Sequence, residues 1–161
     1  MSRTDLEVRV TPSVLDRLID NDPQETREAP KSRSKSLYDL KQSVRRDLEW
    51  LLNTRCHTDS IDDKMTESKR SLACYGLPDI VGFNAKNNLE QLRLTKALES
   101  AIKNFEPRFL NLKVSMDPVD NVDRHLKFRI EASLDVDPTP EPIVFDTVLE
   151  MGSGEFSIGG I

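Results

Sequence analysis

Between Asn87 and Met116 the spacing of apolar residues changes abruptly, and this change restricts the fold more than any other feature of the chain. Leu94, Leu98, Ala101, Ile102 and Phe105 recur three or four residues apart for most of their length, one stripe along a helix. Asn87 or Asn88 can cap the first turn, and Gln91 stands three residues after Asn88, as in a capping box. Pro107 stops the helix, because it has no N–H to donate and pushes Glu106 out of the α region. The period then becomes two. Leu110, Leu112, Val114 and Met116 fall on one face, with Asn111, Lys113 and Ser115 on the other.

Glu106 is unusual at this junction. A carboxylate at a helix C-terminus faces the negative end of the macrodipole, at a cost of a few tenths to about 1 kcal/mol. Arg108 stands two residues on, across a proline-stiffened turn. Two readings fit: a helix stop with solvated charges, or a fixed Glu–Arg pair, structural or presented to a partner.

Three further strands follow a turn at Asp117-Pro118. Leu126, Phe128, Ile130, Ala132, Leu134 and Val136 alternate with polar residues throughout, as in a sheet covered on one face. Pro138, Pro140 and Pro142 end that run. Ile143, Phe145, Thr147, Leu149 and Met151 form the next, and Gly152-Ser153-Gly154 turns the chain into a short strand around Phe156 and Ile158.

Upstream, a first long helix is expected to open at Ser36, with Asp39 in capping-box register. Leu37, Leu40, Val44, Leu48, Leu51 and Leu52 form its buried stripe, Trp50 lies at the core edge, and Arg45, Arg46 and Asp47 lie mostly opposite. Residues 56–72 are polar, with weak helical character from Asp59 to Ser71. Tyr75-Gly76-Leu77-Pro78-Asp79 is turn chemistry. The fold class is α+β: two long helices packed on one face of a small, largely antiparallel four-stranded sheet, with a short N-terminal docking helix.

That docking helix is expected over about residues 12–20. Pro12 suits its first position, and Val14, Leu15, Leu18 and Ile19 form a patch too short to be stable alone, so it docks on its own core or on another protein. Residues 21–36 carry mixed charge and two prolines and read as a linker. The expected division is a mobile segment over 1–35 and a folded domain over 36–161, a length suited to one core.

Composition narrows the function. From Asp117 onward there are ten acids against three bases, which disfavours nucleic acid as a partner. No apolar run approaches the length of a membrane span, so direct membrane insertion is not expected. Met1 to Val10 is too polar for a signal peptide, and Cys56 and Cys74 then read as reduced cytosolic thiols.

Little in the sequence points to catalysis. There is no glycine-rich phosphate loop and no nucleophile elbow. Cys56, His57, Cys74 and His125 match no zinc spacing, so no metal and no cofactor is expected. A carboxylate pair for glycoside cleavage can be drawn from Glu49, Glu106 and many other acids, which makes any one pair uninformative. Trp50 beside Glu49 fits a core-edge residue better than a sugar platform.

Five segments taken in order carry a resemblance: Pro12 to Leu18, Ser43 to Arg55 (SVRRDLEWLLNTR), Tyr75 to Asp79 (YGLPD), Phe105 to Arg108 (FEPR) and Phe145 to Thr147 (FDT). Together they resemble TssE, the baseplate wedge family of bacterial type VI secretion systems, related to a small wedge protein of contractile-tail phages. The resemblance implies a structural part and not an enzyme. It implies assembly with the baseplate proteins TssF, TssG and TssK, in the cytoplasm at the inner face of the inner membrane. It also implies a sheath-like domain that joins the wedge to the contractile sheath of TssB and TssC and seeds its polymerisation. By the same analogy Glu106, Pro107 and Arg108 lie at the wedge contact; the short apolar patch of Val14, Leu15 and Leu18 ahead of the linker is read from the residues themselves as a second docking segment. The C-terminal hairpin, 143–151 with 155–159, is the expected edge for an incoming sheath strand. Some members of the family carry a lysozyme-like label, which leaves a peptidoglycan-cleaving glycosidase, or an adaptor domain with unknown partners, as alternatives.

Overall fold

The computed structural model describes residues 12–19, 23–24, 33–57, 61–62, 64–80, 83–84, 87–118 and 125–159. Four α-helices and four strands occur among them, in the order α1 (Val14–Leu18), α2 (Arg33–Asn53), α3 (Thr66–Lys69), α4 (Asn88–Phe105), β1 (Phe109–Met116), β2 (His125–Leu134), β3 (Glu141–Glu150) and β4 (Phe156–Gly159). The linker expected over 21–36 lies largely outside the described residues.

The four strands form one antiparallel meander in the order β1-β2-β3-β4. Their alternation is what the sequence carries. Leu126, Phe128, Ile130, Ala132 and Leu134 of β2 are buried, as are Ile143, Phe145, Thr147 and Leu149 of β3, while Lys127, Arg129, Val144 and Asp146 face out. One apolar cluster joins this face to Val44, Leu48, Leu51 and Leu52 of α2 and to Leu94, Leu98, Ala101 and Ile102 of α4. Each large aliphatic or aromatic side chain so buried contributes about 1.5–3 kcal/mol. Thr147 is the exception, because its hydroxyl is buried with no hydrogen-bond partner among the described residues.

Several boundaries differ from expectation. α2 begins at Arg33, so Ser36 and Asp39 lie within the helix and do not cap it. Arginine and lysine are good helix formers, and Ser34 and Lys35 are exposed, so no local signal delays the helix to Ser36. α4 is capped by Asn87, whose side chain accepts from the Leu89 N–H at 3.0 Å, and the third helical residue is Glu90, not Gln91. In α1 Ser13 is the cap and Pro12 precedes it. Ser13 and Asp16 form the reciprocal capping box. The expected 59–71 helix is confined to the single turn of α3, followed by a 3₁₀ turn at Leu72–Cys74.

β1 departs from strict alternation. Between Leu110 and Lys113 it carries one residue more than β2 carries between Ser133 and Glu131, a β-bulge. Asn111 enters the left-handed region there (φ 54°), which asparagine tolerates better than most residues. The extra residue reverses the facing on its N-terminal side. Phe109 packs on the core and Leu110 is exposed, contrary to the face expected for Leu110.

β1 and β4 are the sheet edges, and they differ. Val148 pairs with Ser157 and Glu150 N–H donates to Glu155 C=O, so Phe156 and Ile158 aim their N–H and C=O groups outward. Asn53, the last residue of α2, takes both groups of Phe156: its Nδ2 donates to Phe156 O at 2.9 Å and its Oδ1 accepts from Phe156 N at 2.8 Å. On β1, Asp117 N–H donates to Lys127 O, so by alternation Val114 and Met116 point their backbone groups outward, where no described residue pairs with them.

Candidate functional site

The Glu106-Pro107-Arg108 corner is built by the end of α4. Glu106 is the C-cap residue, its N–H donating to Ile102 C=O at 2.8 Å, and Pro107 then turns the chain toward β1. Glu106 is only 5% exposed, so the reading of a helix stop with solvated charges is set aside. Its carboxylate is held as a fork. Arg108 Nε donates to Oε1 and Arg108 Nη2 to Oε2, each at 2.5 Å. A buried carboxylate at the negative end of a helix is destabilised by both surroundings, and a bidentate guanidinium offsets both.

Arg108 also reaches α2. Its Nη2 donates to Asp47 Oδ2 at 2.6 Å and its Nη1 to Ser43 Oγ at 3.3 Å. Asp47 accepts in turn from Arg46, at 3.1 Å from Nε and 2.8 Å from Nη2. Arg46 Nη2 donates to Asp16 Oδ1 of α1 at 2.9 Å, and its guanidinium lies 5.2 Å from the centre of the Trp50 ring. Five charges therefore alternate in sign from Glu106 through Arg108, Asp47 and Arg46 to Asp16.

The electrostatics follow from this order. Burial alone would lower the Arg108 pKa, but the hydrogen bonds and charges of Glu106 and Asp47 outweigh it and raise it. Burial pushes the Asp16 carboxyl up, and the bonds from Ser13 and Arg46 together with the Arg46 charge reverse this and hold it below its ordinary value. Burial, then the charges of Asp47 and Glu106, push the Tyr75 phenol up; its ring stands edge-on to Phe105 at 5.2 Å.

The tripeptide and the N-terminal segment, far apart in sequence, are thus joined by one network. α1 presents its polar side to the body through Asp16. Its apolar residues are turned out, with Val14 65% and Leu18 76% exposed and Leu15 also exposed. Pro107 is exposed beside the half-buried Arg108. Sequence reasoning missed Asp16, Ser43, Arg46 and Asp47. Only the Ser-x-x-Asp spacing of Ser13 and Asp16 was a usable signal. Trp50 is more exposed than a core-edge residue, with Arg46 stacked on it.

A profile of the family described as baseplate wedge protein gp25 matches residues 38–139. The chain belongs to that family. The match takes in most of α2 and all of α3, α4, β1 and β2, and with them Ser43, Arg46, Asp47 and the Glu106–Arg108 corner, while α1, β3 and β4 fall outside it. No match is found among curated proteins. The gp25 family is a structural component of baseplates, which assembles with other baseplate proteins.

Catalytic chemistry has no comparable footing. Each carboxylate of the network is bound by arginine, Glu106 and Asp47 by Arg108 and Asp47 and Asp16 by Arg46. A cleft of about 350 Å³ lies between the end of α2, Leu77 to Ile80 and the β3–β4 turn, and none of the predicted site residues lines it. Among the described residues no group of three potential metal ligands occurs, and no helix is long and apolar enough to cross a membrane.

Proposed function

We propose that this protein is a structural subunit of a type VI secretion baseplate that joins the wedge to the contractile sheath and seeds sheath polymerisation. Its partners on this reading are TssF, TssG and TssK on the baseplate side and TssB and TssC on the sheath side. It works in the cytoplasm, with the baseplate at the inner face of the inner membrane. Both long helices cover the buried face of the sheet, and the segment 1–35 precedes the domain as a docking arm.

The observation that carries the reading is the inverted α1. A five-residue helix that turns Val14, Leu15 and Leu18 outward gains nothing from its own core. It is held in place by Asp16 on the network that ends in Glu106 and Arg108, and on this reading its apolar patch, the exposed Pro107 and the Arg108 guanidinium meet the wedge. For the sheath contact, the β4 edge is less suited than expected. Asn53 occupies the outward groups of Phe156, and the N–H groups of Val148 and Ser157 serve the protein's own ladder. β1 offers Val114 and Met116, and strand addition there would satisfy them.

The test is capture of TssF and TssG by Leu18→Asp and Pro107→Ala variants, with circular dichroism as a control. Folded variants that retain full capture would remove this surface from the wedge contact. A Met116→Pro variant that folds and still supports normal sheaths in cells would remove the β1 edge. The glycosidase alternative predicts peptidoglycan cleavage lost on one carboxylate substitution with folding intact; the Arg108 bridge between Glu106 and Asp47 argues against it.

A further inference from the structure

The two cysteines, eighteen positions apart, are brought to the same place by the turn that surrounds Gly76. Arg55 and Leu77 form a parallel bridge, with Leu77 N–H donating to Thr54 O and Cys56 N–H to Leu77 O, both at 2.8 Å. This bridge draws together the two ends of the 56–74 excursion. Gly76 permits the close approach, since any Cβ on it would lie 2.2 Å from Thr54 O. Cys56 Sγ then sits 3.6 Å from Ala73 O, the carbonyl of the peptide bond leading into Cys74. With standard peptide dimensions, Cys56 Sγ is within about 6.5 Å of the Cys74 Cα. Cys74 Sγ is itself turned to Ser68 O at 3.3 Å, within the same short excursion. Both residues are thiols and partly exposed.

We propose that Cys56 and Cys74 form a reversible intramolecular disulfide, a redox-sensitive bolt across the base of the 56–74 excursion. The oxidant is a low-molecular-weight disulfide such as oxidised glutathione. One protein thiolate attacks it, forming a mixed disulfide and releasing one glutathione thiolate. The second protein thiol then displaces the other glutathione. Two protein S–H bonds are lost, one S–S bond forms, and two glutathione thiols result. Bonding requires the Cys74 side chain to rotate away from Ser68 O and the two backbones to reach the Cα separation of a disulfide, about 4.4–6.8 Å. The bond adjoins Tyr75, whose ring packs on Phe105 beside Glu106, so oxidation stiffens the turn under the charge network.

The experiment equilibrates the full chain with graded ratios of oxidised to reduced glutathione, with intact mass and peptide mapping as readouts. The expected result is a monomer lighter by two hydrogens with Cys56 and Cys74 in one crosslinked peptide pair. Its melting temperature should rise by on the order of 5 °C, and dithiothreitol should reverse the change. Cys56→Ser should take up one glutathione on Cys74 and show no such rise. Glutathione on both cysteines of the wild-type chain, dimers linked between chains, or unreacted thiols at the most oxidising ratio would each overturn the proposal.

Discussion

Arg108 Nη2 lies 2.6 Å from Asp47 Oδ2, across 61 positions of sequence. This contact fastens the corner after α4 to the middle of α2. It also shares one guanidinium between two carboxylates, of which Glu106 is the more deeply buried. The corner is therefore held by charge order as well as by apolar packing.

Replacing Arg108 should be costly and unequal to replacing Asp47. Arg108→Ala leaves Glu106 buried and unpaired at a helix C-terminus, and a loss of about 3–5 kcal/mol is expected. Asp47→Ala leaves Arg108 its fork to Glu106 and a partly exposed edge, so about 1 kcal/mol is expected. Urea unfolding of both variants checks the order; equal losses would show that Asp47 carries the corner.

The Asp16–Arg46 contact should respond to acid only. The Asp16 carboxyl is held below its ordinary value of 3.8, so the folded state binds this proton more weakly than the unfolded chain. The stabilisation it gives is complete above pH 3.8 and is lost as the pH falls through the lower, folded-state value. A carboxyl NMR titration should place the Asp16 midpoint below 3.8 in the wild type. Arg46→Ala should bring that midpoint up toward the ordinary value. A midpoint above it in the wild type would mean that α1 does not rest on Arg46.

Gly76→Ala should disrupt the 54–56 and 76–77 contact. Gly76 has φ 109°, and an added Cβ would meet the Thr54 carbonyl at 2.2 Å. No flexible side chain stands there to give way. A loss on the order of 3 kcal/mol is expected. Denaturant titration measures it, and a change below 1 kcal/mol, on the order of a surface substitution, would show that the turn has another conformation in solution.

Thr147→Val should stabilise the protein. The Thr147 hydroxyl is buried without a partner among the described residues, and valine has the same shape without the polar group. Removing an unsatisfied buried hydroxyl is expected to contribute about 1 kcal/mol. Thermal unfolding followed by calorimetry checks this. Destabilisation instead would place an ordered water or an outlying residue on that hydroxyl.

Two kinds of information built this protein. The stripe of α4, the alternation of β2 and β3, and the stops at Pro107 and around Pro138 and Pro140 were legible in order along the chain, whereas Pro142, expected as a stop, lies inside β3 opposite Ser133. They depend on local periods and on backbone chemistry, which a sequence displays directly. The bulge at Asn111 was not legible, since nothing in Leu110-Asn111-Leu112 shows where β2 has one residue fewer. Nor was the direction in which α1 faces. The period groups Val14, Leu15 and Leu18 on one side, but only Arg46 of α2, thirty positions from Asp16, settles that the opposite side meets the body. The same holds for Asp47 and Asn53, which read as ordinary polar residues of α2 until Arg108 and Phe156 are brought against them. Ion pairs and edge-capping amides have no period. Their partners are chosen by the packing of the core, and so the local elements were written in the sequence while the surface that would meet a partner was decided by tertiary structure.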